Sequence, residues 1–140
     1  MKGASRVVQV QTTIPFHDCD PLSVVWHGRY LEYFELARTE LFKSHEIDVP
    51  QIRDLGFRLY VADVGCRYMF PLSYGDEIEV SARATAWTPM LRIVYSIQNL
   101  TRSRRSARGF TALATTDPAG RLLPETPHAI VERLFPQAGG

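Results

Sequence analysis

Cysteine is scarce in this 140-residue chain: Cys19 and Cys66 are the only two, and they form no CxxC pair. That excludes a disulfide framework and a zinc ribbon as the basis of the fold. No stretch approaches the roughly 20 consecutive apolar residues that a membrane span requires. Charge of one sign is not in excess either, with 16 Lys and Arg against 15 Asp and Glu for a net charge of +1. Nothing global therefore draws the chain toward nucleic acid or a membrane surface, and any special electrostatics is local. The opening "MKGASRVVQV" has no apolar signal-peptide segment and runs straight into a β-like stretch, so the expected location is the cytoplasm. Repeats, low-complexity tracts and linkers are missing too. A single domain is expected, long enough to bury a substantial core without staples. Hydrophobic residues at 45% and charged residues at 22% fit a soluble globular protein.

What is present is one helix among strands. "RVVQVQTTI" (6–14) is rich in β-branched residues and reads as a strand that Pro15 and Pro21 keep from continuing. From Gly28 to Ser44, Tyr30, Phe34, Ala37 and Leu41 recur at spacings of four, three and four, one face of a helix, with Glu32, Thr39 and Lys43 opposite. "HEIDVPQIRDLG" breaks that pattern and Gly56 closes it. Residues 57–70 form a long strand whose alternation shifts near Asp63 to Gly65, where a bulge is expected. Segments 76–87 and 91–100 alternate cleanly, and 107–117 makes one more strand before the turn signal "PAG". Thr126 and Pro127 read as an N-cap and first-turn proline for a short helix, "HAIVERLF". The expected class is α+β: an antiparallel sheet of about five strands with one long helix on one face. Small and apolar side chains on the other face call for a partner subunit.

The densest polar cluster is "HDCDPLSVVWHGRY" (17–30), at the start of the long helix. A helix N-terminus leaves backbone N–H groups unpaired and carries partial positive charge, so it suits the oxyanion formed when a carbonyl is attacked. A carboxylate just upstream can attack that carbon or deprotonate a water, and the residues alone do not choose between the two. Aspartate before a helix is also an ordinary capping or loop-orienting residue. Asp18 reads as structural, bonding loop amides. His17 and His27 with the two aspartates match no metal-ligand spacing. Cys19 lies between two acids with no basic neighbour to stabilise a thiolate, which argues against a nucleophilic role.

"DCDPLSVVWHGRYLEYFELART" resembles the opening of the 4-hydroxybenzoyl-CoA thioesterase family, closest to the bacterial acyl-CoA thioesterases associated with the Tol-Pal system. There a D-x-D-x-x-x-x-V-x-[YH] segment leads into a helix ending "ERAR". "YMFPLSYGDEI" (68–78) is similar to the family's Y-x-x-P-x-x-x-G-D pattern through Tyr68, Pro71, Gly75 and Asp76. The resemblance implies a hot-dog fold assembled as a homodimer or homotetramer. It also implies hydrolysis of an acyl thioester to acid and thiol, with no metal or bound cofactor and with coenzyme A only as part of the substrate. Asp20 matches the catalytic carboxylate. His27 matches the catalytic position whose backbone N–H, with that of Gly28, polarises the carbonyl. One departure is Ser23, where the family usually has glycine; it bears on the tightness of that loop.

Other residues carry weaker expectations. Glu35 and Arg38 read as an i,i+3 ion pair. Tyr30 and Phe34 are core or line the acyl pocket, and in hot-dog dimers Tyr60, Val61 and Val64 of the second strand meet the partner's helix. Asp63 is a bulge-fixing residue or a second polar contact. The arginines of "TRSRRSARG" (101–109), Arg102, Arg104, Arg105 and Arg108, sit at a hairpin tip. Such runs are commonly solvated, and their functional reading is binding of coenzyme A phosphates. Nucleic-acid binding would call for interleaved aromatics. In the 4-hydroxybenzoyl-CoA enzyme a basic cluster follows the tryptophan ending the third strand. Here "WTPMLR" leaves Arg92 alone, so the nucleotide is held differently or acyl carrier protein brings the substrate. Two rivals keep the fold: a hydratase, whose helix-start motif is absent, and a non-catalytic thioester-binding module.

Overall fold

The structure is a computed structural model that describes residues 2–136. Its elements are β1 (Val8–Thr13), a 3₁₀ turn (Phe16–Asp18), a second 3₁₀ turn (His27–Arg29) running into α1 (Tyr30–Ser44), and α2 (Val49–Asp54). Then come β2 (Arg58–Tyr68), β3 (Glu77–Ala86), β4 (Leu91–Asn99), β5 (Arg104–Thr116) and α3 (His128–Leu134). The strands form one antiparallel sheet in the order β1-β3-β4-β5-β2.

Period-two alternation sets which side of the sheet is buried. Ile78, Val80, Ala82 and Ala84 of β3 and Leu91, Ile93, Tyr95 and Ile97 of β4 all face the core. Tyr30, Phe34, Ala37 and Leu41 of α1 lie in the same cluster, joined by Tyr33 and Phe42. Each fully buried Ile or Leu in this contact contributes about 1.5–3 kcal/mol. The sheet wraps one long helix, which is the hot-dog arrangement. The helix approaches closely at Gly109, where a Cβ would stand 2.6 Å from the Phe34 ring and 2.4 Å from the Gly65 carbonyl oxygen. That room lets Phe34 stack on Tyr95 at 4.6 Å between centroids.

Asp76 ties the far end of the sheet together. It is buried, and its Oδ2 accepts hydrogen bonds from the Ser73 N–H and the Asn99 amide at 2.9 and 2.8 Å. Arg102 Nε lies 3.4 Å from Oδ1. Gly75, at φ 84°, closes the tight turn in which the Asp76 N–H returns to the Ser73 carbonyl. The second motif is thus built around a turn.

Four details differ from the sequence reading. Residues 49–54, read as a break, form α2, because Pro50 sits in the first turn, where a missing N–H costs nothing. The bulge falls at Ala62, between the paired residues Val61 and Asp63, one residue before the expected place. Thr126 does not cap α3: Pro127 occupies the N-cap, and the Thr126 hydroxyl is buried with no hydrogen-bond partner among the described residues. Glu35 and Arg38 form no ion pair; Arg38 turns toward the hydroxyl of buried Tyr95 instead.

β2 is an edge strand of eleven residues, and Tyr60, Val61 and Val64 along it are 50%, 43% and 42% exposed.

Candidate active site

Residues 18–30 are folded by their own backbone into a small hairpin. The Asp20 N–H donates to the Val24 carbonyl at 2.8 Å, and the Ser23 N–H returns to the Asp20 carbonyl at 2.9 Å, with Cys19 bridging Val25. Pro21 fits the first corner of this turn by its fixed φ. Ser23 stands at φ 67°, the left-handed region in which glycine is at ease. The position where the family carries glycine is therefore a turn position that wants it. Asp20 is half-buried; Oδ1 accepts the Leu22 N–H at 2.8 Å, and no protein donor is directed at Oδ2 among the described residues.

Three contacts close this hairpin and tie it to the loop after β2 and to α1. The Trp26 N–H donates to the Asp18 carbonyl at 3.2 Å, and the Val25 N–H to the Leu72 carbonyl at 2.8 Å. The Asp18 carboxylate is buried and accepts the Tyr33 hydroxyl at 2.7 Å, with Arg29 Nε at 3.8 Å. Burial, then the carboxylate beside it, pushes the Tyr33 phenol well above its ordinary range, so the hydroxyl keeps its proton. Asp18 was expected to bond loop amides; its carboxylate bonds a side chain of α1 instead.

The helix opens at His27 and Gly28. No protein acceptor takes either N–H among the described residues, whereas the next, Arg29 N–H, returns to the Trp26 carbonyl at 2.9 Å. Two adjacent donors at a helix start form the arrangement that stabilises an oxyanion. The Tyr68 hydroxyl donates to the His27 carbonyl at 3.0 Å, and Tyr30 Oη accepts the Leu72 N–H at 3.2 Å. The Tyr30 ring packs edge-on against Tyr68 at 4.8 Å. Gly28 is needed by its neighbour: a Cβ there would stand 2.3 Å from the Trp26 ring, which lies across the turn. His27, Tyr30, Tyr68, Met69, Phe70 and Pro71 line an open cleft of about 260 Å³ at this end of the helix.

A second cleft, of about 210 Å³, lies between α1, α2 and β2, lined by Arg38, Phe42, Ile52, Phe57, Tyr60 and Val61 among others. Twelve residues of α1, about 18 Å of rise, separate Tyr30 from Phe42. The two clefts therefore belong to opposite ends of the helix. Of the expected pocket residues, Tyr30 lines the first cleft and Tyr60 and Val61 the second, while Phe34, buried under Tyr95, lines neither. Val64 stands exposed on β2 between them, and Asp63 bonds the next N–H along its own strand. At the hairpin tip Arg102 is drawn to Asp76, Arg104 lies 4.4 Å over the Phe70 ring, and Arg105 is exposed. Arg92 lies on the outer sheet face, stacked on Phe110.

Sequence reasoning missed Tyr33, Trp26 and the use of Tyr68. The first two were given no role; Tyr68 was visible as a motif position without one. Burial raises the Cys19 thiol, with Asp18 and Asp20 adding to it, so it is not a thiolate at neutral pH. Among the described residues no group of three His, Cys, Asp or Glu is gathered to hold a metal ion, and no helix is long and apolar enough to cross a membrane.

Comparison with known proteins gives this arrangement a family. A "Putative esterase" of Aquifex aeolicus is 34% identical over 67 residues, covering 48% of this chain and 52% of that protein. The chain thus spans about half the length of that relative. A "Putative esterase" of Synechocystis is 27% identical over 129 residues, 91% of this chain and 78% of that one. Among solved structures, a 1,4-dihydroxy-2-naphthoyl-CoA thioesterase from Synechocystis superposes with a TM-score of 0.79 over 94% of this chain and 96% of its own, at 18% identity. At that identity the likeness speaks for the fold alone. The family model described as "Thioesterase-like superfamily" matches residues 14–134, from the end of β1 through the Asp20 hairpin and the helix start to α3, and the chain belongs to that superfamily.

Proposed function

We propose that this chain hydrolyses an acyl-CoA thioester to a free acid and a thiol, in the manner of the Tol-Pal-associated thioesterases that its helix-start motif resembles. One observation carries the reading: two unpaired N–H groups, at His27 and Gly28, open a helix just after a hairpin that presents the Asp20 carboxylate. The thioester carbonyl oxygen takes those two N–H groups, and Asp20 either attacks the carbonyl carbon or deprotonates the attacking water. On both routes the C–S bond breaks, the sulfur leaves as thiolate and takes a proton, and water supplies the oxygen of the acid. Carboxylate, water and backbone N–H groups suffice for these steps. Coenzyme A enters as part of the substrate.

The working unit in this reading is a dimer joined along β2. An exposed apolar edge strand of this length is a site for pairing with a second copy. Antiparallel pairing about a two-fold axis sets the start of one β2 beside the end of the other. The cleft at Tyr60 and Val61 of one protomer then lies next to the helix start of its partner and receives the acyl group.

The test is thiol release from short, medium, long and aromatic acyl-CoAs, each compared with the same acyl group on acyl carrier protein. Turnover of acyl-CoA supports the reading, and the best acyl group describes the cleft. Turnover only on the protein carrier makes this a carrier-protein thioesterase. Tight binding of acyl-CoA without thiol release makes it a binding module.

A further inference from the structure

The sheet face turned away from α1 carries a cleft of about 520 Å³ whose charged side chains are Arg67, Arg92 and Arg108, with no acid among its walls. Register sets two of them side by side, and the third, paired with Ala112 further along β5, reaches toward them over a ring. Arg67 of β2 and Arg108 of β5 are direct cross-strand partners, and Arg92 of β4 lies on the same face with its guanidinium 4.0 Å over the Phe110 ring. Like charges directly opposite on one face of an antiparallel pair destabilise it. No carboxylate among the described residues lies in ion-pair contact to offset this. Among the described residues none of the three forms an ion pair, whereas Arg29, Arg102 and Arg121 each do. The acid nearest in register is Asp63, two strands from Arg92, and its carboxylate accepts the Val64 N–H.

Three guanidinium groups on strands about 4.8 Å apart, unmatched by carboxylates, form a receptor for an anion with several oxygens. The planar fork of arginine suits phosphate in particular, because it pairs two oxygens at once. The cleft also lies close to the reacting centre. Arg67 immediately precedes Tyr68, whose hydroxyl holds the His27 carbonyl from the other side of the sheet. The helix start and the arginine cleft therefore meet at the same end of β2, on opposite faces.

We infer that Arg67, Arg92 and Arg108 bind the phosphates at the far end of the substrate, so that the thioester carrier passes around the end of β2. That the ligand is this carrier rests on the thioesterase reading; that the site binds phosphate rests on the arginines alone.

Calorimetric titration separates the two. Coenzyme A, pantetheine and inorganic pyrophosphate are each titrated into wild type, Arg108→Gln, Arg67→Gln/Arg108→Gln, Arg108→Lys and, as a control for charge away from the sheet, Arg53→Gln. The expected result is weaker coenzyme A binding by at least about tenfold for each arginine lost, as removal of a charge-assisted contact implies. Arg108→Lys should fall between, and pantetheine should bind weakly throughout. Pyrophosphate bound as tightly as coenzyme A, and lost in the same variants, keeps the phosphate site and overturns the carrier as its ligand. Equal binding of coenzyme A and pyrophosphate by wild type and the double variant, with unchanged melting temperature, overturns the site. Phosphate binding that follows the arginines in a protein that hydrolyses no thioester overturns the thioesterase reading and leaves the site standing.

Discussion

Ser23 is a residue in a conformation that suits another. At φ 67° its Cβ is crowded against the backbone, a cost of about 1–2 kcal/mol that glycine does not carry. Ser23→Gly is therefore expected to stabilise the protein by about 1 kcal/mol, part of the gain being lost to the freer unfolded chain. Thermal denaturation should show a higher Tm, and a lower one would contradict the turn geometry. Tyr33 makes a pH-dependent prediction. Its phenol is held protonated above the ordinary tyrosine value of about 10. The folded state thus keeps a proton that the unfolded state releases above about pH 10, so the stabilisation is whole below that pH and is lost as pH rises toward the folded value. Tyr33→Phe should lose about 1.5–3 kcal/mol near neutrality, because buried Asp18 loses its donor. Its stability should also fall less steeply than wild type between pH 10 and 11. Parallel curves in that range would show that Tyr33 is not the titrating group. The glycine of the family marked Ser23 as part of a tight loop but not its φ, and the Tyr33–Asp18 contact could not be read at all, because it depends on how the hairpin docks onto α1.

At the scale of elements, the residue pattern was enough to read α1 and β1 to β4 nearly to their ends. α1, β3 and β4 bury one regular face in the core, while β1 and β2 only lean half-buried residues such as Val8, Val10, Leu59 and Cys66 against it. β5 starts three residues earlier than its pattern suggested, at Arg104, since the ladder to β4 continues through polar residues that periodicity does not mark. α2 was missed because six residues around a proline carry too little pattern to outweigh a break. The helix start itself was legible as a donor pair after a carboxylate, whereas the reason for Gly28 was not. That reason is the Trp26 ring, and Gly28→Ala should force the ring and turn apart. Turnover is expected to fall on the order of tenfold or more, mainly in kcat, because a misplaced N–H weakens the bond to the developing oxyanion most. Trp26→Ala/Gly28→Ala should recover part of the loss by removing the clash. A Gly28→Ala enzyme with unchanged kcat would show that the turn is not the oxyanion site.

For the whole molecule, the proposed dimer would make one site of the two clefts at opposite ends of α1, each copy supplying half. Val64→Asp adds a carboxylate beside Asp63 in the middle of β2, where two-fold pairing brings like charges together. Sedimentation should then show monomers, and turnover should fall with the loss of assembly; full activity in a monomer would contradict a composite site. The catalytic claim has a more direct test, which is thiol release from the best acyl-CoA by wild type and Asp20→Asn, with melting temperature and assembly shown to match. Asparagine keeps the shape and the bond to the Leu22 N–H but is neither nucleophile nor base, so turnover should drop by about 10²–10⁴. Equal turnover by the two proteins would remove Asp20 from the chemistry.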